Sequence, residues 1–443
     1  MIETLKNAFR IKEIRNKILM TILLIVIYRL GCFIPVPGIA TGAFGEAVEG
    51  NTFFGIMSAI TGGALSQGTL LAIGISPYIN AQIIMQLLTV AVPGLERLSK
   101  NGEEGKRKIT RITRWVTFVI AIINAVGILF AFRNQELFDT AMFGAALAVP
   151  EWLLFIFVTI IFVAGSMLTM WIGERITEYG VSNGISMLIF VGIISTAGTS
   201  ILATFSSVFT NGFEAGGGWT LITFILILLL VFTFIVFVDG AERRIKVQYA
   251  KQIKGNKMYG GQSTYIPIKV NAGGVLPMIF AFSLMSFLPM IFSFFGTGEG
   301  TAADWWNKNM TANGGTWWGS LIYLVSLTIL IFLFSFFYSQ IQFNPAEISK
   351  NVQQNGGFIP GIRPGRETAD FLTKTVSRIT FWGAIFLAIM ALLPSTVFQL
   401  VGNQGLTSAY SATGLLIVVS VALEFDKSLQ NQIMMRHYKG FLK

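Results

Sequence analysis

Ten largely apolar stretches, each about as long as a bilayer is thick, constrain this chain more than any other feature. They run near 18–35, 72–92, 115–132, 151–172, 184–206, 219–238, 272–295, 317–341, 379–400 and 408–423 of its 443 residues. A hydrocarbon core about 30 Å thick needs roughly 20 apolar residues per helix. Strands of a membrane barrel would be about ten residues long and alternating, which these are not. Only 12% of the residues are charged, against about 25% in soluble domains, too few to clothe a soluble fold of this size. The abundance of Phe and Trp argues against a disordered chain, and the single cysteine, Cys32, excludes a disulfide scaffold.

Charge then orients the stretches. Of the 32 Lys and Arg, 29 fall in alternate connections on one side, with 14 acidic residues; the other side has Arg133 and Lys308 against eight acids. By the positive-inside rule both termini are cytoplasmic and the number of spans is even. The net charge of +10 is thus an orienting signal rather than a nucleic-acid signature. The expectation is an all-α integral membrane protein with ten transmembrane helices. The first stretch follows basic residues but has no small-residue cleavage pattern, so it reads as a retained helix. Five spans followed by five more invert the second half relative to the first. That permits two pseudo-symmetric halves, 1–206 and 207–443, around a central site, although no internal repeat stands out in the sequence.

One apolar run breaks the pattern. FFGIMSAITGGALSQ (53–67) is too short to span and is interrupted by Gly62-Gly63. Such a segment is either re-entrant or packed on helix ends.

The chemistry of common membrane enzymes is missing. No G-x-x-x-x-G-K-[ST] loop occurs, and the only histidine, His437, lies in the tail, so neither a zinc-protease motif nor a serine triad can be built. Asp239 and Asp426 sit at span ends rather than facing each other across the bilayer. Catalysis and a bound cofactor are not expected. A secondary transporter, the rival reading, would place titratable groups near the midplane. The spans hold only Arg29, whose plain reading is snorkelling or a fixed internal pairing. Neutral polar groups do occur within them, among them Asn80, Gln82, Gln86 and Asn124. Two long connections, 239–271 and 343–375, combine basic residues with tyrosines or with Pro-Gly turns. Loops of this length suit docking of a large partner or of ribosomal RNA.

Taken with their order, several blocks closely resemble the SecY/Sec61-alpha family of protein-conducting channels. They are RLGCFIPVPGI (29–39), GGALSQ with LAIGISPYINAQIIMQLLT (62–89), GEEGKRKITRITR (102–114) and GERITEYGVSNGIS (173–186). RRIKVQYAK (243–251), QSTYIPIKVNAGGVLPMIFA (262–281), FNPAEISKNVQQNGGFIPGIRPG (343–365) and LLIVV (415–419) complete the set. The resemblance implies two five-helix halves closing like a clamshell on an hourglass pore, in the bacterial plasma membrane. It also implies a lateral gate between the second and third spans and the seventh and eighth. The partners implied are SecE, SecG and either the SecA ATPase or a ribosome, and the substrate is an unfolded polypeptide with a signal sequence.

Residue by residue, the resemblance assigns a pore ring to Ile75, Ile79, Ile185, Ile189, Ile279 and Ile417. Isoleucines at such spacing ordinarily pack or face lipid, so only the resemblance selects them. The plug becomes Phe53, Phe54, Gly55, Ile56, Met57, Ser58, Ala59, Ile60, Thr61, Gly62, Gly63, Ala64 and Leu65. Gln86, Asn124, Ser283 and Ser286 are expected to make polar contacts across the gate. Arg243, Arg244, Lys251, Lys254, Lys257, Arg363 and Arg366 are expected to dock SecA or the ribosome. The first docking loop departs from some relatives, with Asn256 and Lys257 where they carry paired arginines.

Overall fold

The computed structural model describes residues 2–49, 52–131, 138, 150–211, 217–249, 252–254, 257–259, 263–293, 300, 305–306, 309, 317–401 and 412–441. Each of the ten apolar stretches overlaps a helix among the described residues. The chain opens with α1 (Ile2–Arg10) and α2 (Lys12–Gly31), and two short helices follow, α3 (Thr41–Glu49) and α4 (Thr52–Thr61). Then come α5 (Ser76–Ala91), α6 (Pro93–Lys100), α7 (Gly102–Ala131), α8 (Glu151–Tyr179), α9 (Gly184–Asn211) and α10 (Gly217–Gly240). After strands β1 (Glu242–Tyr249), β2 (Gln252–Lys254), β3 (Lys257–Tyr259) and β4 (Ser263–Lys269) come α11 (Leu276–Ser293), α12 (Trp317–Gln342) and α13 (Pro345–Gln354). The chain ends with β5 (Gly357–Phe358), α14 (Arg366–Val401) and α15 (Ala412–Phe441).

Among the described residues, Gly102–Ala131, Glu151–Tyr179, Trp318–Gln354 and Arg366–Leu392 are each long and apolar enough to cross a membrane. Ser76–Ala91 and Pro93–Lys100 add a fifth such element as a pair bent by 99°. The bend has a local cause: proline disfavours helical geometry in the residue before it, and Val92 is extended (φ −105°, ψ 113°). On α2 one face, with Ile14, Ile18, Thr21, Leu24 and Tyr28, is buried. The opposite face exposes Leu19, Leu23, Val26 and Leu30. Apolar faces this continuous are unusual on a soluble monomer and suit a hydrocarbon surround.

The all-α expectation needs correction. The two long connections are partly β-structure, with strand order β4-β1-β5 in one sheet and a separate β2–β3 hairpin. Strand β1 pairs antiparallel with β4 from Glu242↔Lys269 to Gln248↔Ser263. On its other edge it pairs with β5, from the second connection, through Gln248↔Phe358 and Tyr249↔Gly357. Ile245 and Val247 point inward at period two, the alternation of a half-buried strand. With Ile268, Val352, Ile359, Leu372 and Val376 they form a separate hydrophobic core. Residues distant in sequence therefore build one body at the ends of α10 and α14.

Helices α5 and α11 also start later than hydropathy suggests, at 76 and 276 rather than 72 and 272, and for the same reason. Gly74 and Gly274 each adopt φ +60°, which glycine does without the steric cost other residues meet. Gly74 N–H donates to Leu71 O at 2.9 Å and Gly274 N–H to Asn271 O at 3.3 Å. Pro77 and Pro277 then stand in the first turn of each helix, where a missing N–H costs nothing. Each turn lies under a helical glycine. A Cβ at Gly165 of α8 would collide with Leu70 O, and one at Gly383 of α14 with Val270 O.

Candidate functional site

The isoleucines of the expected ring all belong to or pack on one buried cluster. Ile75, Ile79, Ile189 and Ile417 are 3–6% exposed and belong to one buried cluster, with Ile185 and Ile279 packed against it. They arrive from the starts of α5, α9 and α11 and from α15. Gly173 of α8 makes room at this point: a Cβ there would sit 3.5 Å from Ile75 Cδ1 and 3.7 Å from Ile185 Cγ1. The surroundings these side chains share are apolar.

Beside the ring lies α4, which packs on α9 and α3. Phe54, Met57, Ser58 and Thr61 are buried; the side chains of Phe53, Ile56, Ala59 and Ile60 lie outside the described residues, and Gly55 is half-buried. The helix stops because Gly62 (φ +73°) and Gly63 (φ +84°) turn left-handed. The turn is tied down by Gly63 N–H to Ser58 O (2.8 Å). Ser66 Oγ–H to Gly63 O (3.0 Å) and Thr69 Oγ1–H to Ala64 O (3.0 Å) add to it. Ala64 joins the ring cluster, and Leu65 is buried in a neighbouring one. Thr61 presses on Gly74, where a Cβ would stand 2.7 Å from Thr61 Cγ2. Ser166 Oγ of α8 donates to Gly74 O at 3.1 Å.

Arg29 realises the internal pairing. Its Nη2 donates to Ser195 Oγ on α9, and its Cζ lies 5.4 Å from the Phe33 ring centroid. The pairing partner, Ser195, carries no signal in the sequence; only a cation inside a span hints that one is needed.

The lateral-gate elements are in contact: α11 packs on both α5 and α7. The expected polar contacts across them are absent among the described residues. Gln86 Oε1 and Asn124 Oδ1 are buried without a hydrogen-bond partner. Ser283 is half-buried, and the side chain of Ser286 lies outside the described residues. A polar cavity of about 710 Å³ adjoins the ring, lined among others by Tyr78, Gln82, Arg114, Glu174 and Ile185. Across its wall Arg114 holds Glu174 with two contacts, 2.8 and 3.0 Å, joining α7 to α8. This bidentate pair was not singled out from the sequence, where nothing links positions 60 residues apart.

The residues expected to dock a partner fall on the β-body and its surroundings. Arg243 and Arg244 are exposed on β1, with Arg244 contacting Glu242 at 2.7 Å. Lys254 and Lys257 face each other in the β2–β3 register, and Lys251 lies outside the described residues. Arg363 is exposed on a turn fixed by Gly361 (φ +84°) and Gly365 (φ +104°). Thr368 Oγ1–H donates to Arg363 O at 2.8 Å and Ser349 Oγ–H to Gly365 O at 2.6 Å, so its backbone is held firmly. Arg366 is exposed at the start of α14. At the base of the sheet, burial and then the nearby Lys427 ammonium draw Lys269 below its ordinary range.

Residues 69–425 match the SecY family model. The chain is 40% identical over 450 residues to the protein translocase subunit SecY of Streptomyces galbus, with both chains covered in full. It is 38% identical to that of Thermotoga maritima, covering 100% of this chain and 98% of the relative. In fold it is similar to a solved protein-conducting channel, with TM-score 0.68 at 20% identity over 94% of this chain and 92% of the other. It is also similar to Sec61 in the canine ribosome–channel complex from the endoplasmic reticulum, with TM-score 0.64 at 18% identity and the same coverage.

Proposed function

The chain belongs to the SecY family, and we propose that it is the pore-forming subunit of a protein-conducting channel. It passes unfolded secretory polypeptides across the bacterial plasma membrane and releases membrane helices sideways. Ten spans form two inverted five-helix halves, 1–206 and 207–443, with both termini cytoplasmic. One observation carries the reading: isoleucines from four separate helices belong to or pack on one buried apolar cluster, and Thr61 of a short helix that ends in a glycine turn packs on Gly74 beside Ile75. A site built to bind a solute would instead present convergent polar groups.

In this reading the six isoleucines seal the resting pore and 53–65 is the plug above them. The contacts of α11 with α5 and α7 are the closed lateral gate, and the unpartnered Gln86 and Asn124 lie along its seam. The cavity lined by Arg114 and Glu174 is the cytoplasmic vestibule. SecE clasps the two halves, SecG assists, and SecA or a translating ribosome docks on the β-body and supplies the driving force. Arg363, with its backbone fixed by Thr368, presents a planar guanidinium suited to bidentate contacts.

The test is reconstitution. Vesicles containing this chain and SecE, given SecA and ATP, are expected to move a secretory precursor into a protease-protected lumen, and Arg363→Glu to impair this while membrane insertion persists. Precursor left fully accessible to protease, combined with saturable uptake of a small solute by the chain alone, would favour the transporter reading instead.

A further inference from the structure

A largely buried guanidinium is costly unless something holds it, and in this fold Arg29 is bonded by one neighbouring element and packed against another. From α2 the side chain reaches α9, where Nη2 donates to Ser195 Oγ. Its Nη1 is buried without a hydrogen-bond partner and abuts Gly62, the first residue of the turn that ends α4, by packing alone. A Cβ at Gly62 would collide with Nη1 and would stand 3.1 Å from both Cα and O of Gly192, one turn before Ser195 on α9. Glycine at 62 therefore serves twice: it allows φ +73°, and it leaves the gap through which the guanidinium passes. The same α4–turn unit touches the start of α5 through Thr61 and Gly74. Arg29 thus stands where α2, α9 and the end of α4 meet.

We propose that Arg29 is a positioning residue for the resting seal, clamping the glycine end of the plug helix against α9. The proposal rests on the channel reading for its functional meaning, while the clamp itself is a statement about the fold. A planar, rigid fork suits such a three-way junction better than a flexible ammonium, because one end is anchored on Ser195 while the other is packed against Gly62. Displacing the plug requires Gly62 to slide off the guanidinium, so the length and planarity of residue 29 set how readily the plug leaves.

The test uses the full chain with SecE in vesicles and two readouts: deuterium uptake by the amides of 58–69, and ion conductance without a translocating polypeptide. The amides of Gly63, Gly68 and Thr69, bonded to Ser58, Leu65 and Ala64, report the turn directly. Arg29→Gln is expected to speed uptake severalfold across 58–69 and to raise resting conductance, with Arg29→Lys intermediate. Ser195→Ala, which leaves the cation in place and removes its anchor, is expected to move both readouts in the same direction by less. Uptake unchanged in Arg29→Gln overturns the clamp. If Arg29→Gln does not accumulate, unchanged uptake in Ser195→Ala overturns it. Failure of the channel reading looks different: the wild-type vesicles would then neither conduct on opening nor translocate precursor, whatever the exchange pattern.

Discussion

The turns that open α5 and α11 share a backbone and differ in what they touch. Gly74 and Gly274 have the same φ of +60°. Ile75 and Val275 each accept N–H groups three and four residues on, and Pro77 and Pro277 follow. Gly165 and Gly383 stand over Leu70 O and Val270 O in the same way. Yet Gly74 is pressed by Thr61 of the short helix and its carbonyl is held by Ser166, while a Cβ at Gly274 would meet open space. Ala384 stands where the second copy would need its own serine after Gly383. In the proposed inverted topology the first turn faces the external funnel and the second the cytoplasm. The shared conformation is what a duplicated half would retain, and the first turn alone adds contacts with α4 and α8, which in the proposed reading hold the plug.

That contrast can be broken at several points. The largest effect is expected at the ring. Ile79→Gly with Ile189→Gly removes two buried branched side chains and should raise resting conductance severalfold in planar bilayers, more than Ile279→Gly, whose side chain is only half-buried. Conductance equal to wild type in the double variant would remove the ring from the seal. Next comes Gly74→Ala, which combines left-handed strain of about 1–2 kcal/mol with overpacking of about 1–3 kcal/mol. Thermal unfolding in detergent should show the sum, and the amides of 58–69 should exchange faster. Ser166→Ala leaves the buried Gly74 carbonyl without its hydroxyl donor and should cost about 1–3 kcal/mol by the same measurement. Gly274→Ala is expected to show the strain alone, about 1–2 kcal/mol, with resting conductance unchanged. Equal losses for Gly74→Ala and Gly274→Ala would mean that the plug adds nothing to the first turn.

Much of this was legible in the residues, and the misses have physical causes. Hydropathy located the helices because burial in lipid demands unbroken apolar runs. It misplaced the starts of α5 and α11 because residues 72–75 and 272–275 are as apolar in a turn as in a helix; the prolines at 77 and 277 were the better signal. Helix α7 begins at Gly102 rather than near 115, since a charged amphipathic extension stabilised by Glu104–Lys108 at 2.8 Å has no apolar signature. The strands escaped notice although Ile245, Val247 and Tyr249 alternate in RRIKVQY, because basic residues between them read as a solvated loop. The ring and plug could not have been selected by spacing alone, for nothing local distinguishes Ile79 from an isoleucine that faces lipid. Ser195, Ser166 and Glu174 were out of reach because their partners lie 92 or more residues away for the serines and 60 for the acid.

The pairing of β1 with β5 carries a mechanical consequence. Strand β1 continues directly from α10, and β5 leads within a few residues into α14, so the sheet bridges two membrane helices as a crossbar. A load applied at Arg363 is borne by hydrogen bonds lying across the strands and by the Tyr249 ring wedged against Gly357, where a Cβ would stand 2.9 Å away. The two loops therefore form one hydrogen-bonded unit between α10 and α14. In the proposed reading, a partner seated there would meet a single crossbar rather than two independent handles.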